Sequence, residues 1–94
     1  YASSAWVKLI TSAGLQVSEA ANGKMGVAVL VAGSKVVSNT STGANSRIFL
    51  TSQVDGGTPG WLRVSARTAG VSFTITSSNG ADTSTVAYLI VEKE

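Results

Sequence analysis

The side chains that could carry acid–base chemistry are few: Glu19, Asp55, Asp82, Glu92 and Glu94, with no histidine and no cysteine. Without His or Cys there is no Ser–His or Cys–His nucleophile pair and no imidazole or thiolate metal site. A carboxylate pair is the one remaining catalytic device, and glycoside hydrolysis needs two such groups a few ångströms apart across a cleft. Asp55 and Asp82 lie in separate loops and could meet in space. Both sit in turn-forming contexts, and turn chemistry accounts for each. Glu92, Lys93 and Glu94 read as a frayed, solvating terminus. The residues therefore predict no enzyme, no catalytic residue, no metal and no cofactor.

Two further patterns carry less than they suggest. The stretch Asp55-Gly56-Gly57-Thr58-Pro59-Gly60 is not a phosphate loop. It lacks the Gly-Lys-Ser/Thr ending and leads into a strand rather than a helix. Asn39-Thr40-Ser41 matches the glycosylation sequon, but nothing else in the chain marks a secretory context, and such triplets arise by chance.

Binding is the chemistry the chain can support. Trp61 follows the glycine-rich loop and falls on the strand face of Arg63 and Arg67. A Trp beside polar side chains can stack on a sugar ring or on a protein partner. The candidate ligand-binding residues are Trp61, Arg63 and Asp55, with Ser, Thr and Asn of the loops 38–46 and 77–84 as further hydrogen-bonding groups. The competing reading packs Trp61 at a sheet edge or an interface. Trp6 and Tyr88 read as packing residues.

Seven Lys and Arg against five acids give a net charge of +2. The cations are scattered, whereas nucleic-acid binders gather them on one face. Arg63 and Arg67, flanking Ser65, are the nearest to a cluster and read as a solvated sheet face. No nucleic-acid partner is expected. No apolar run approaches the ~20 residues of a membrane helix, so no membrane insertion is expected either.

The elements that must position these groups are strands. The 94 residues suit one domain. β-branched residues recur between short breaks of Gly, Asn and Asp. Strands are predicted at 5–10, 15–18, 26–32, 35–38, 47–52, 61–67, 71–76 and 85–92, and no ten-residue segment has a helical period. Eight short strands at this spacing predict an all-β, small antiparallel β-sandwich of jelly-roll-like type.

The segment 61–76 is the clearest hairpin. Leu62, Val64 and Ala66 alternate with Arg63, Ser65 and Arg67, then Val71, Phe73 and Ile75 with Ser72, Thr74 and Thr76. One face is apolar and one polar, as when a single side covers a core, and Phe73 is the best core anchor. Three other strands break that rule. Val27, Val29 and Val31 oppose Ala28, Leu30 and Ala32. Ile48 and Leu50 oppose Phe49. Ala87, Leu89 and Val91 oppose Val86, Tyr88 and Ile90. A two-layer sandwich covers one face of each sheet, so the second apolar face needs another cover. An oligomer supplies one. A closed or strongly curled sheet is the alternative.

Five runs, in this order and spacing, carry a family resemblance. They are Met25-Gly26-Val27-Ala28-Val29-Leu30-Val31-Ala32-Gly33, then Asn45-Ser46-Arg47-Ile48-Phe49-Leu50-Thr51, then Gly60-Trp61-Leu62-Arg63-Val64-Ser65-Ala66-Arg67. Gly70-Val71-Ser72-Phe73-Thr74-Ile75-Thr76-Ser77-Ser78 follows, and then Asp82-Thr83-Ser84-Thr85-Val86-Ala87-Tyr88-Leu89-Ile90-Val91-Glu92. From about Lys24 to Glu92 the chain resembles the C-terminal β-domain of bacteriophage tail fibre, tailspike and related virion proteins. The resemblance implies a homotrimeric tip domain that serves assembly or attachment to the host cell surface. It also implies that any depolymerase activity resides in an upstream domain. It carries no shared binding-residue motif.

On this reading residues 1–23 are a linker or the end of a preceding shaft with the first strands, and 24–94 form the β-sandwich domain. The first residue, Tyr1 rather than Met, suggests a fragment or processed product of a longer polypeptide, with that shaft as a partner. The expected location is the virion, after assembly in the bacterial host cytoplasm. A carbohydrate-binding module for bacterial surface polysaccharide and a capsid or head decoration domain are the alternative functions.

Overall fold

The computed structural model describes residues 14–93. Within them the runs of alternating β-branched residues form six strands: β1 Met25–Val29, β2 Ser34–Ser38, β3 Arg47–Val54, β4 Leu62–Thr68, β5 Ser72–Ser77 and β6 Thr85–Val91. They make two three-stranded antiparallel sheets, ordered β1-β6-β3 and β2-β5-β4. The all-β sandwich is thus as expected, with six strands rather than eight. Segment 15–18 forms no strand. Leu15 is exposed, and alternation alone does not supply a ladder partner. Segment 5–10 lies outside the described residues, as does Trp6.

The chain passes between the sheets at almost every connection. Only β4 and β5 are joined as a hairpin within one sheet, through a turn closed by Val71 N–H donating to the Thr68 carbonyl at 2.9 Å. The β1–β2 connection, residues 30–33, closes in a two-residue turn. Val31 and Ser34 exchange both backbone hydrogen bonds, and Ala32 and Gly33 take φ of 51° and 80°. Positive φ at both central residues is what matches such a turn to the right-handed twist of the strands. Gly33 supplies it freely. Ala32 does so against its Cβ.

The core lies between the sheets. Ala28, Leu30, Val37, Phe73, Ile75, Val86 and Ile90 are buried, with Ile48, Leu50, Leu62, Val64 and Tyr88 packed against them. Phe73 is fully buried, and its ring meets Tyr88 edge-on at 5.2 Å and 77°. That contact ties β5 of one sheet to β6 of the other. Tyr88 is therefore a packing residue, as expected. It fits because its register partner on β1 is Gly26. A Cβ at Gly26 would stand 2.7 Å from Tyr88 Cζ.

The strands that are apolar on both faces all fall in the β1-β6-β3 sheet. Register partners in an antiparallel pair point the same way. Met25 pairs with Leu89, Val27 with Ala87, Phe49 with Leu89, and Arg47 with Val91. These side chains, with Val29 and Val54, form the outer face, while Ala28, Ile48, Leu50, Val86, Tyr88 and Ile90 form the inner one. Val27, Val29, Phe49, Val54 and Val91 are all exposed. The β2-β5-β4 sheet presents Ser34, Ser38, Arg63, Ser65, Ser72, Thr74 and Thr76 outward instead. Val36 is the one large exposed apolar side chain within its strands, and Trp61 stands exposed just before β4. The sandwich has one wet skin and one dry one.

Candidate functional site

The loops at one end of the sandwich are built on Asp82. Its carboxylate is 1 % exposed. Gly60 N–H donates to Oδ2 and Ser84 N–H to Oδ1, each at 2.9 Å. The Ser77 hydroxyl is the strongest influence holding this carboxyl far below the usual carboxylate range. The Ser84 hydroxyl and the Gly60 and Ser84 amides add to it, against the opposing effect of burial. The backbone of Asp82 is committed too. Its carbonyl accepts from Gly33 N–H at 2.9 Å, and its N–H donates to the Asn79 carbonyl at 3.2 Å. One residue thereby ties together the β1–β2, β3–β4 and β5–β6 connections. Asp82 is a fully occupied turn residue, and its oxygens are spent on the fold.

Asp55 belongs to the same loop end: it stands two residues before Gly57, which bridges Asp82 through the backbone, and Gly56 N–H donates to Ser84 Oγ at 3.2 Å. The nearest polar partner of Asp55 is the Ser52 hydroxyl, 3.4 Å from Oδ1. Among the described residues no hydrogen bond or ion pair links it to Asp82, Trp61 or Arg63. The candidate trio of Trp61, Arg63 and Asp55 is therefore linked by direct contact only in part.

Trp61 and Arg63 do meet. Trp61 is 66 % exposed. The Arg63 guanidinium carbon stands 5.4 Å from the centroid of the ring system, which is cation–π distance. At an exposed position such a pair contributes about 0.5–1 kcal/mol, enough to order two side chains but not to hold a fold. The backbone of Trp61 is fixed more firmly. Its N–H donates to Ser78 Oγ at 3.0 Å, and its carbonyl accepts from Ser78 N–H at 2.8 Å. The neighbouring Gly60 N–H is the one captured by Asp82. The exposed indole thus stands on a rigid support. Ser78 was the unforeseen part of this arrangement, and only its position in the loop facing Trp61 could have signalled it.

Arg67 departs from the sequence expectation. It does not share the face of Arg63. The ladder shifts register between Val64 and Ala66, so Val64 pairs with Ile75, Ala66 with Thr74 and Arg67 with Phe73. Ser65 is the extra residue of a β-bulge. It stays outside with its hydroxyl 2.6 Å from that of Thr76. Beyond the bulge the alternation inverts and Arg67 turns to the Phe73 side. There it crosses the core margin and donates to the carbonyls of Ser46 at 2.7 Å and Gly43 at 3.1 Å.

The other end of the sandwich holds a second polar cluster. Lys24 Nζ pairs with Glu92 Oε2 at 2.7 Å, the one ion pair among the described residues, and Ser46 Oγ donates to the same oxygen at 2.6 Å. The Lys24 contact, then the Ser46 hydroxyl, then the charges of Lys24 and Arg67 lower the Glu92 pKa, with burial opposing. Glu92 is thus docked, not frayed. Nearby, Asn39 is 1 % exposed. Its amide donates to the Gly23 carbonyl at 2.8 Å, and its Oδ1 accepts from Ser41 N–H and Oγ. The sequon asparagine is a buried turn residue with its amide nitrogen engaged.

The dry face carries a shallow groove of about 400 Å³, lined by Glu19, Met25, Val27, Phe49, Thr51 and Leu89 among others. Its walls are apolar apart from Glu19, Thr51 and Gln53.

The chain is thus a small antiparallel sandwich with one dry outer sheet face and an exposed Trp–Arg pair on the other sheet. The family model described as "K1 capsule-specific polysaccharide lyase, C-terminal domain" matches residues 22–91, and the chain belongs to this family. The match agrees with the resemblance to phage tailspike C-terminal domains carried by residues from Lys24 onward. No curated protein and no solved structure matches the chain.

Proposed function

We propose that the chain is the C-terminal tip domain of a phage tailspike or tail fibre, that it assembles as a homotrimer through the dry face of the β1-β6-β3 sheet, and that it attaches the virion to the host cell surface. The observation that carries this reading is the outer face built from Val27, Val29, Phe49, Val54 and Val91. Magnitudes support an interface there. Burying one such side chain contributes about 1.5–3 kcal/mol. Association costs on the order of 4–15 kcal/mol. A lone exposed valine cannot meet that cost, but a contiguous set on each subunit can. Cleavage of polysaccharide, named in the family description, belongs on this reading to another part of the whole protein. In this chain the Asp82 carboxylate is consumed by hydrogen bonds within the fold, so it is not free to work with Asp55.

The test is the mass in solution at micromolar concentration. The wild-type chain is expected at three times the chain mass. Val27→Asp and Phe49→Asp are expected to give folded monomers, with unchanged circular dichroism. A wild-type chain that stays monomeric overturns the assembly role.

A further inference from the structure

We infer that Trp61 and Arg63 form a binding site for an acidic glycan, the indole stacking on a sugar ring and the guanidinium pairing with the carboxylate of a uronate. The inference rests on the attachment half of the proposed function and supplies its ligand class. Three observations carry it. First, Trp61 is 66 % exposed while its backbone is anchored through both polar groups to Ser78, so the ring is displayed from a fixed point of the main chain. Pre-ordering of this kind lowers the entropic cost of binding. Second, Arg63 sits 5.4 Å from the ring centroid and has no carboxylate partner, the single ion pair among the described residues being Lys24–Glu92. Its planar fork of donors matches a carboxylate in two parallel hydrogen bonds.

Third, the surrounding outer face of β2-β5-β4 bears the hydroxyls of Ser65, Thr74 and Thr76 and no acidic side chain. Nothing there repels an anion, and hydroxyls suit a polyol. The bulge at Ser65 sharpens the site by sending Arg67 to the other side, which leaves one cation beside the ring instead of a basic stripe.

The experiment titrates the full chain with a galacturonate hexamer, with its methyl ester and with a neutral maltohexaose, following the indole N–H resonances. The expected result is saturable binding of the acid, weakened at least tenfold in Trp61→Ala. In Arg63→Gln the acid and its ester are expected to bind alike. Mass in solution is measured on the same samples. Retained assembly with lost binding supports a separate glycan site. Binding by a chain that proves monomeric supports the site while removing the trimer. Absence of uronate binding by the wild type, equal binding of the neutral hexamer, or dissociation of the assembly by Trp61→Ala would each overturn the inference.

Discussion

At Phe73 and Asp82 single side chains decide whether the sandwich closes. Phe73 fills the space between the sheets and meets Tyr88 edge-on. Phe73→Ala is expected to cost about 3–5 kcal/mol, read as a lower denaturant midpoint with the slope unchanged. Asp82 acts through its charge. Its folded pKa lies below the unfolded value near 3.9. The stability it contributes is therefore fully present above that unfolded value, and it is lost as pH falls through the folded one. Wild-type stability should decline below about pH 4. Asp82→Asn should be less stable at neutral pH and show a shallower acid decline, measured by denaturation across pH 2 to 7. The sequence marks Asp82 as a turn residue and Phe73 as an anchor, because both follow from local pattern. It does not show that Asp82 reaches three separate connections, since Gly33 and Gly60 become its neighbours only through the topology.

At the scale of strands, the alternation rule reads most faces correctly and fails at one residue. Leu62 to Arg67 alternate without a flaw in the sequence, so nothing local announces that Ser65 is unpaired. The bulge follows from the partner strand, where Val64 faces Ile75 and Ala66 faces Thr74. A second bulge interrupts β3 between Ser52 and Val54, equally silent in the sequence. Segment 15–18 shows the reverse error, an alternating pattern without a strand. Pairing needs a neighbour with free donors and acceptors, which no propensity supplies. The β1–β6 pairing can be tested at Gly26. A methyl there would strike the Tyr88 ring, and Gly26→Ala is expected to cost about 1–3 kcal/mol. The same substitution in a Tyr88→Ala background should cost clearly less, the two being coupled through one contact.

Over the whole molecule, the contrast between the sheets was the most legible feature. The sequence expects 26–32, 47–50 and 85–92 to be apolar on both sides, and these segments share one sheet, with an exposed outer face of Val27, Phe49 and their neighbours. The hairpin 61–76 lies in the other sheet, whose outer face is hydroxyl-rich. Assembly through the dry skin would leave the wet skin, with Trp61 and Arg63, turned outward. The candidate site was legible only in part. Alternate positions along one extended segment predict that Trp61 and Arg63 can meet, but their support by Ser78 depends on how loops 55–61 and 78–84 pack.

The position of β6 has a consequence for how the protein is made. β6 is the last of the six strands among the described residues and the middle strand of its sheet, with β1 and β3 as its neighbours. A ribosome delivers the chain from the other end. Met25 and Phe49 therefore emerge well before Leu89, their common partner. Until then two sticky ribbons wait beside each other with no template between them. The sheet closes only after Leu89 has emerged, and such distant pairings form slowly. A premature stop before Thr85 would not trim an edge. It would remove the keystone, so a truncated product is expected to be recognised as unfolded rather than built into a particle.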